Sequence, residues 1–209
     1  MSQEYWNKTH VEKYSKTEWS KKPSIFATQS VKFFPETGIL LEIGTGQGGD
    51  ADYFQSLGYE VTATDYSDEA LKSAMDRVKN VHFINLDTSK QLPFEDESFD
   101  VVYSHMALHY FDSETTEKVF KDIYRVLKPG GIFATITNTI NDPQKEEGNY
   151  IKLEPGYYQD PKGIKKRYFS VESLGSFTRD LFETLLLDAK GETYKDPDPD
   201  LTRFIGKKL

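Results

Sequence analysis

The chain of 209 residues contains no cysteine. That excludes disulfides, thiolate nucleophiles and thiolate metal sites, and it suits a reducing compartment. No apolar run is long enough to cross a bilayer. Residues Met1 to Lys8 lack the apolar core of a signal peptide. A cytoplasmic location is therefore the expectation, with no membrane partner. Lys and Arg number 26 against 34 Asp and Glu, a net charge of −8, which argues against a broad nucleic-acid surface. There is no internal repeat and no low-complexity tract. Apolar residues make up 37% and aromatics 14%, enough for one core rich in Phe and Tyr, so a single domain is expected.

What is present is concentrated in Ile39-Leu40-Leu41-Glu42-Ile43-Gly44-Thr45-Gly46-Gln47-Gly48-Gly49. It reads as a buried parallel strand, a glycine turn and then a helix over Asp50 to Leu57. Such a turn brings backbone N–H groups close to a nucleotide-like ligand, and glycine permits both the close approach and a positive φ. Gly44, Gly46 and Gly49 also satisfy the dinucleotide pattern G-x-G-x-x-G, which leaves the cofactor open. Glu42 bears on the choice, because a carboxylate there repels a pyrophosphate and suits a cationic amino-acid tail.

A second strand, Val61 to Asp65, ends in an acid 23 residues after Glu42. An acid at that tip can accept both hydroxyls of a ribose. Tyr66 and a helix from Ser67 to Val78 follow, then a third strand, Val81 to Asn85, with Asp87 and Thr88 behind it. A fourth strand, Phe99 to Ser104, leads into His105-Met106-Ala107-Leu108-His109-Tyr110. Val119, Phe120, Ile123, Val126 and Leu127 share one helical face. Lys128-Pro129-Gly130-Gly131 breaks that helix before a fifth strand, Ile132 to Thr137. Alternating strands and helices make an α/β sheet covered on both faces.

Two flanks surround this core. Residues 1–37 carry Tyr5, Trp6, Tyr14 and Trp19, and Ser24 is placed to cap a helix bearing Ile25, Val31 and Phe34. Residues 138–169 read as a long polar connection at the end of the sheet where ligands bind. Its Lys162, Lys165, Lys166 and Arg167 are either a solvated charge run or a receiver for an anion. Ser170 caps a further helix to about Asp180. Phe182 to Asp188 and Leu201 to Lys207 read as two last strands, joined through Asp196-Pro197-Asp198-Pro199-Asp200.

The pattern Glu42-x-Gly44-x-Gly46-x-Gly48 resembles the first motif of class I S-adenosylmethionine-dependent methyltransferases. From Gly38 to Thr137 the series is similar to the small-molecule members of that group, including tellurite-resistance-like and thiopurine-like enzymes. The resemblance implies a Rossmann-like seven-stranded sheet with helices on both faces and an antiparallel last pair. It divides one domain into an N-terminal helical cap (1–37), a cofactor-binding core (38–137), a substrate-side loop (138–169) and a C-terminal helix and strand pair (170–209). It implies S-adenosyl-L-methionine as cofactor, held by Glu42, Gly44, Thr45, Gly46, Asp65, Tyr66, Asp87, Thr88 and Ser104. In that scheme Asp87 holds the adenine amino group and Thr88 offers its N–H to the ring. Tyr66 packs on the adenine, and Ser104 lends its carbonyl to the methionine ammonium.

The implied activity is methyl transfer to a small-molecule acceptor. Positioning for in-line displacement can itself supply ~7–11 kcal/mol. His105 and His109 lie where this group faces its acceptor, and they share a face if that segment is helical. Each is a candidate general base, or a wall or core residue. Trp19, Tyr110, Tyr150 and Tyr168 are candidate acceptor contacts. No metal is expected, and a monomer or a homodimer is. Ser104-His105-Met106-Ala107 departs from the Asn/Asp-Pro-Pro-Tyr/Phe sequence of enzymes that methylate bases or glutamine amides, which argues against those acceptors. Two alternatives stay open at this point: an NAD-dependent oxidoreductase on a related Rossmann fold, and a non-catalytic binding module.

Overall fold

The structure is a computed structural model that describes residues 2–140, 149–192 and 201–209. The acidic stretch 196–200 and Glu146-Glu147-Gly148 lie outside the described residues. The strands are β1 (Ile39–Ile43), β2 (Glu60–Asp65), β3 (His82–Asn85), β4 (Phe99–His105), β5 (Leu127–Thr137), β6 (Ile151–Glu154), β7 (Tyr157–Gln159), β8 (Lys165–Arg167), β9 (Phe182–Gly191) and β10 (Leu201–Lys208). The helices are α1 (Gln3–Glu12), α2 (Ile25–Ser30), α3 (Gly49–Ser56), α4 (Asp68–Arg77), α5 (Ser113–Val126) and α6 (Val171–Thr178).

Seven strands form one sheet in the order β3-β2-β1-β4-β5-β10-β9. The first five are parallel, whereas β10 runs antiparallel to both β5 and β9. The expected antiparallel last pair is therefore present. Parallel strands covered on both faces are apolar throughout, and period-two alternation assigns each residue its side. Leu41, Ile43, Val102 and Phe133 pack with Val119, Phe120 and Ile123 of α5 and Leu174 of α6. Leu40, Val101, Tyr103 and Ala134 pack on the other face with Phe26 and Ala27 of α2 and Ala51 and Phe54 of α3. Truncating a buried Phe such as Phe54 costs about 3–5 kcal/mol. By the same alternation Glu42 shares the face of Leu40, so its carboxyl is carried toward α3.

Helix starts are fixed by side chains that accept the first free N–H groups. Ser24 accepts from Ala27, Ser67 from Ala70, Asp112 from Thr115, and Ser170 forms a capping box with Ser173. The cap at Asp112 starts α5 six residues before the apolar face visible from Val119. Residues Val31–Phe33 form a 3₁₀ turn rather than a continuation of α2. Lys128-Pro129-Gly130-Gly131 ends α5 but belongs to β5, where the register against β4 shifts between Phe99 and Val101.

The polar connection after β5 is organised rather than structureless. β6, β7 and β8 form a three-stranded antiparallel sheet. Its anchor is Arg167, buried, which ion-pairs with Glu154 and donates to the carbonyls of Phe111 at 3.1 Å and Pro155 at 3.2 Å. The Arg167 backbone N–H donates to the His109 carbonyl at 2.7 Å. Of the four cations expected to be solvated or to receive an anion, Arg167 is thus consumed by the fold, while Lys162 and Lys165 are exposed.

Candidate cofactor and acceptor site

Strand order reverses at β1, which has β2 on one side and β4 on the other. A crevice at the carboxyl ends of the strands is the usual ligand site in such sheets. Here it is a cavity of about 710 Å³, within the ~300–1,000 Å³ of small-ligand sites. Glu42, Gly44, Thr45, Gly46, Asp65, Tyr66, Asp87 and Thr88 all line it, as do His105, His109, Tyr110 and Trp19.

The turn after β1 is held by the Thr64 carbonyl, which accepts the N–H groups of Gly44 at 2.8 Å and Thr45 at 2.9 Å. Gly44 has φ +79°, and a Cβ on it would stand 2.2 Å from that of Ala107. Its bareness therefore lets the segment after β4 close on the turn. A Cβ on Gly49 would stand 2.4 Å from the Lys22 carbonyl. That glycine admits the N-terminal segment.

Glu42 is buried at the tip of β1, and its Oε2 accepts the Thr45 hydroxyl at 2.7 Å. Burial pushes its carboxyl well above the usual range, and the nearby Asp50 adds to the rise. Asp50 lies in the first turn of α3. It accepts the hydroxyls of Ser24 and Tyr103, each at 2.8 Å. Burial, then Asp50, holds the Tyr103 phenol well above its usual range. Asp65 ends β2 with both oxygens already oriented: Oδ2 accepts the Gly46 N–H at 2.8 Å and Oδ1 the Ser67 N–H at 2.9 Å. Asp87 accepts the Ser89 hydroxyl at 2.6 Å in a tight local turn.

The N-terminal segment makes one wall. Asn7 of α1 accepts the Ser67 hydroxyl at 2.8 Å, joining α1 to the start of α4. The Gln47 amide oxygen accepts from Ser73, so its Nε2 donates to His10 Nδ1 at 3.1 Å, leaving the His10 proton on Nε2. Trp6 stands edge-on to Tyr110 with ring centroids 5.0 Å apart.

His105 closes β4 and Met106 takes a positive φ of 57°, so the chain turns sharply there. The two histidines therefore do not share a helix face as the spacing suggested, yet both reach the cavity. Nε2 of His105 and Nδ1 of His109 are buried with no hydrogen-bond partner among the described residues. Burial drives His109 well below the usual imidazole range, helped by Lys166 and His105. Burial also lowers His105, opposed by Asp50.

Three expected contacts are not on the cavity wall. Ser104 is buried, and its hydroxyl donates to the Ile43 carbonyl at 3.0 Å, tying β4 to β1. Tyr150 does not line the cavity. Tyr168 is buried behind it, its ring edge-on to Tyr158 at 5.9 Å. Conversely, Trp6, His10, Gln47, Asp50, Asn138 and Lys166 line the cavity. Trp6 in the aromatic N-terminal flank, Lys166 in the run of cations and Asp50, an acid in the first turn of the helix after the glycines, carried a readable signal, whereas His10, Gln47 and Asn138 did not. Among the described residues no group of three His, Asp or Glu side chains could hold a metal, and no helix is long and apolar enough to cross a membrane.

A family profile described as "Methyltransferase domain" matches residues 41–135. Malonyl-[acyl-carrier protein] O-methyltransferase of Enterobacter lignolyticus is 34% identical over 98 residues, 47% of this chain and 38% of the relative. Phosphoethanolamine N-methyltransferase 1 of Triticum aestivum is 31% identical over 135 residues, 61% of this chain and 26% of the relative. The chain thus spans well under half the length of these curated relatives. A solved S-adenosylmethionine-dependent methyltransferase of Methanosarcina mazei superposes with a TM-score of 0.73 at 25% identity, covering 85% of this chain and 95% of that one. The Burkholderia thailandensis 1,6-didemethyltoxoflavin N1-methyltransferase, solved with S-adenosylhomocysteine, shares the fold with a TM-score of 0.74 at 18% identity, covering 99% of this chain and 87% of that one. The matched segment contains Glu42, the glycine turn, Asp65 and Asp87, so the NAD-dependent alternative is set aside.

Proposed function

We propose that this chain, which belongs to the class I S-adenosylmethionine-dependent methyltransferases, uses that cofactor to methylate a small molecule held in the other half of the same cavity. The observation that carries the reading is a row of three carboxylates, Glu42, Asp65 and Asp87, at or just past the ends of β1, β2 and β3 on one cavity wall.

The residues fit the cofactor. Glu42 and Asp50 crowd two buried carboxyls together with no cation among the partners of Glu42 in the described residues, so an ammonium group is welcome there. Asp65 would accept the ribose hydroxyls through oxygens whose directions two backbone N–H groups already fix. Tyr66, Asp87 and Thr88 would take the adenine, while Gly44, Thr45 and Gly46 border the amino-acid end. Ser104 contributes by holding β4 against β1. The cofactor supplies a methyl group already activated on a positively charged sulfur. The protein's part is to orient the acceptor, exclude water and, where the acceptor must lose a proton, receive it at His105 or His109. Trp19 and Tyr110 shape the acceptor half, and residues 1–37 cover it.

The two named relatives act on different acceptors, one at oxygen and one at nitrogen. Acceptor choice is therefore assigned in part to walls outside the matched segment 41–135, namely residues 1–37 and those after β5. Calorimetry tests the cofactor half: S-adenosylhomocysteine should bind in the micromolar range, on the order of −8 kcal/mol, and NAD should not. Tighter binding of NAD would sink the reading. S-adenosylhomocysteine release across a panel of small acceptors tests the activity.

A further inference from the structure

We propose that the acceptor is a planar acid, such as a phenol, an enol or a ring N–H compound, that lies against Trp6 and Tyr110 and gives its proton to the His105/His109 pair as it is methylated. The proposal rests on the methyltransferase reading above and specifies its acceptor.

Planarity follows from the wall. Trp6 and Tyr110 stand edge-to-face at 5.0 Å, and Tyr14 and Trp19 do so at 5.9 Å. All four rings line the cavity, and such surfaces favour a flat apolar guest. Aromatic walls also attract cations, so charge decides between an acid and an ammonium. The carboxylates lining the cavity are all committed. Glu42, Asp65 and Asp87 belong to the cofactor wall. Asp50 accepts from the Ser24 N–H and from the hydroxyls of Ser24 and Tyr103, and Asp112 caps α5 by accepting the Thr115 N–H at 2.8 Å. An ammonium acceptor finds no carboxylate of its own among the described residues. Lys166 also lines the cavity, close enough to His109 to disfavour a second positive charge.

The imidazoles complete the argument. Each has a buried nitrogen without a hydrogen-bond partner among the described residues, in a cavity otherwise rich in satisfied groups, and such a nitrogen needs an explanation. A neutral imidazole accepts a proton. A phenol or enol keeps a lone pair on oxygen while it still holds its proton and loses that proton as the methyl arrives, whereas an alkylammonium near ~10.4 has no lone pair until its proton has already left. In the transfer, the acceptor's lone pair bonds to the methyl carbon as the carbon–sulfur bond breaks, and that electron pair stays on sulfur. The proton passes to an imidazole nitrogen and then to water.

The probe is 4-nitrophenol, whose ionised form absorbs at a separate wavelength. Added to the protein with S-adenosylhomocysteine, it should bind as the neutral phenol, whose band persists at a pH where the free compound is ionised, because the buried imidazoles take the proton only as a methyl group arrives. With S-adenosylmethionine, phenols of graded acidity should be methylated faster as acidity rises, while benzylamine is inert. His109→Gln should lower turnover of weakly acidic phenols by ~10²–10⁴ and leave S-adenosylhomocysteine affinity unchanged. Methylation of benzylamine ahead of every phenol, or failure of every phenol and ring N–H compound to bind, overturns the proposal. The binding spectrum of the native protein decides the matter even where His109→Gln does not fold. If S-adenosylhomocysteine itself fails to bind, the cofactor reading falls; if it binds and only amines react, the acceptor class alone falls.

Discussion

The backbone N–H of Gly46 donates to Oδ2 of Asp65 at 2.8 Å, fastening the turn after β1 to the tip of β2. Read from the sequence, Asp65 is a ligand-binding acid alone. The structure gives it a second task, because Oδ1 also holds the Ser67 N–H at the start of α4. Hydrogen bonds to a charged group contribute about 1.5–3 kcal/mol each. Asp65→Ala removes two such bonds and should therefore lower cofactor affinity at least tenfold and also lower the stability of the cofactor-free protein by about 3–6 kcal/mol. Calorimetry and a denaturant titration measure the two separately. An unchanged affinity would leave Asp65 a purely structural cap.

Gly49→Ala tests the join between the N-terminal segment and the sheet. The new Cβ would meet the Lys22 carbonyl at 2.4 Å, and no flexible side chain is there to yield. Helix α3 tolerates alanine, so the strain falls on residues 1–24. We expect native-like circular dichroism and faster amide exchange across α1, with the strands of the sheet unaffected. Unaltered protection of α1 would show that the close approach carries no stability.

Much of this architecture is legible in the chain because it is local. Glu42, the glycine turn, Asp65 and Asp87 sit at strand ends that periodicity and turn chemistry locate within a residue or two. The start of α5 was readable only from its cap at Asp112, since the first turns expose polar residues and show no apolar face. The β6–β8 sheet left no signal: its strands are three or four residues long, and Ile151 and Leu153 are exposed. Arg167 looked like part of a charge run because burial of a cation depends on partners distant in sequence, Phe111 and Ser113 among them. His10 reaches the cavity through such long-range packing, which a single sequence does not encode locally.

Glu42 should make the cofactor-free protein lose stability as pH rises above the unfolded Glu value of ~4.3. Its folded pKa is raised, whereas an unfolded Glu ionises near ~4.3. As pH climbs, the unfolded state loses its proton first, so the fold loses stability until pH passes the folded value. Glu42→Gln keeps the shape and removes the charge. At pH 8 the variant's melting temperature without cofactor should exceed that of the parent, while its affinity for S-adenosylmethionine falls at least tenfold. A variant less stable than the parent at pH 8 would contradict the assigned burial cost.

The histidines should impose the opposite trend on the acid side. His10, His105 and His109 are all held below the ordinary imidazole value, chiefly by burial. Their unfolded counterparts take up protons near ~6.5. Stability from neutral burial is therefore complete above that pH and drains away as pH falls through the folded values, by up to about 1.4 kcal/mol per pH unit for each proton. Nearby carboxylates moderate two of the three, Asp65 for His10 and Asp50 for His105. His109 has no such relief among its causes and faces Lys166 instead. His109→Gln should consequently flatten the acid limb more than His105→Gln, measured as unfolding free energy between pH 7.5 and 5. Equal slopes in parent and His109→Gln would remove His109 from the account. His109 thus makes stability fall as pH drops below ~6.5, whereas Glu42 makes it fall as pH rises above ~4.3. Bound cofactor, by placing an ammonium at Glu42, should reduce the loss on raising the pH and leave the acid limb where it was.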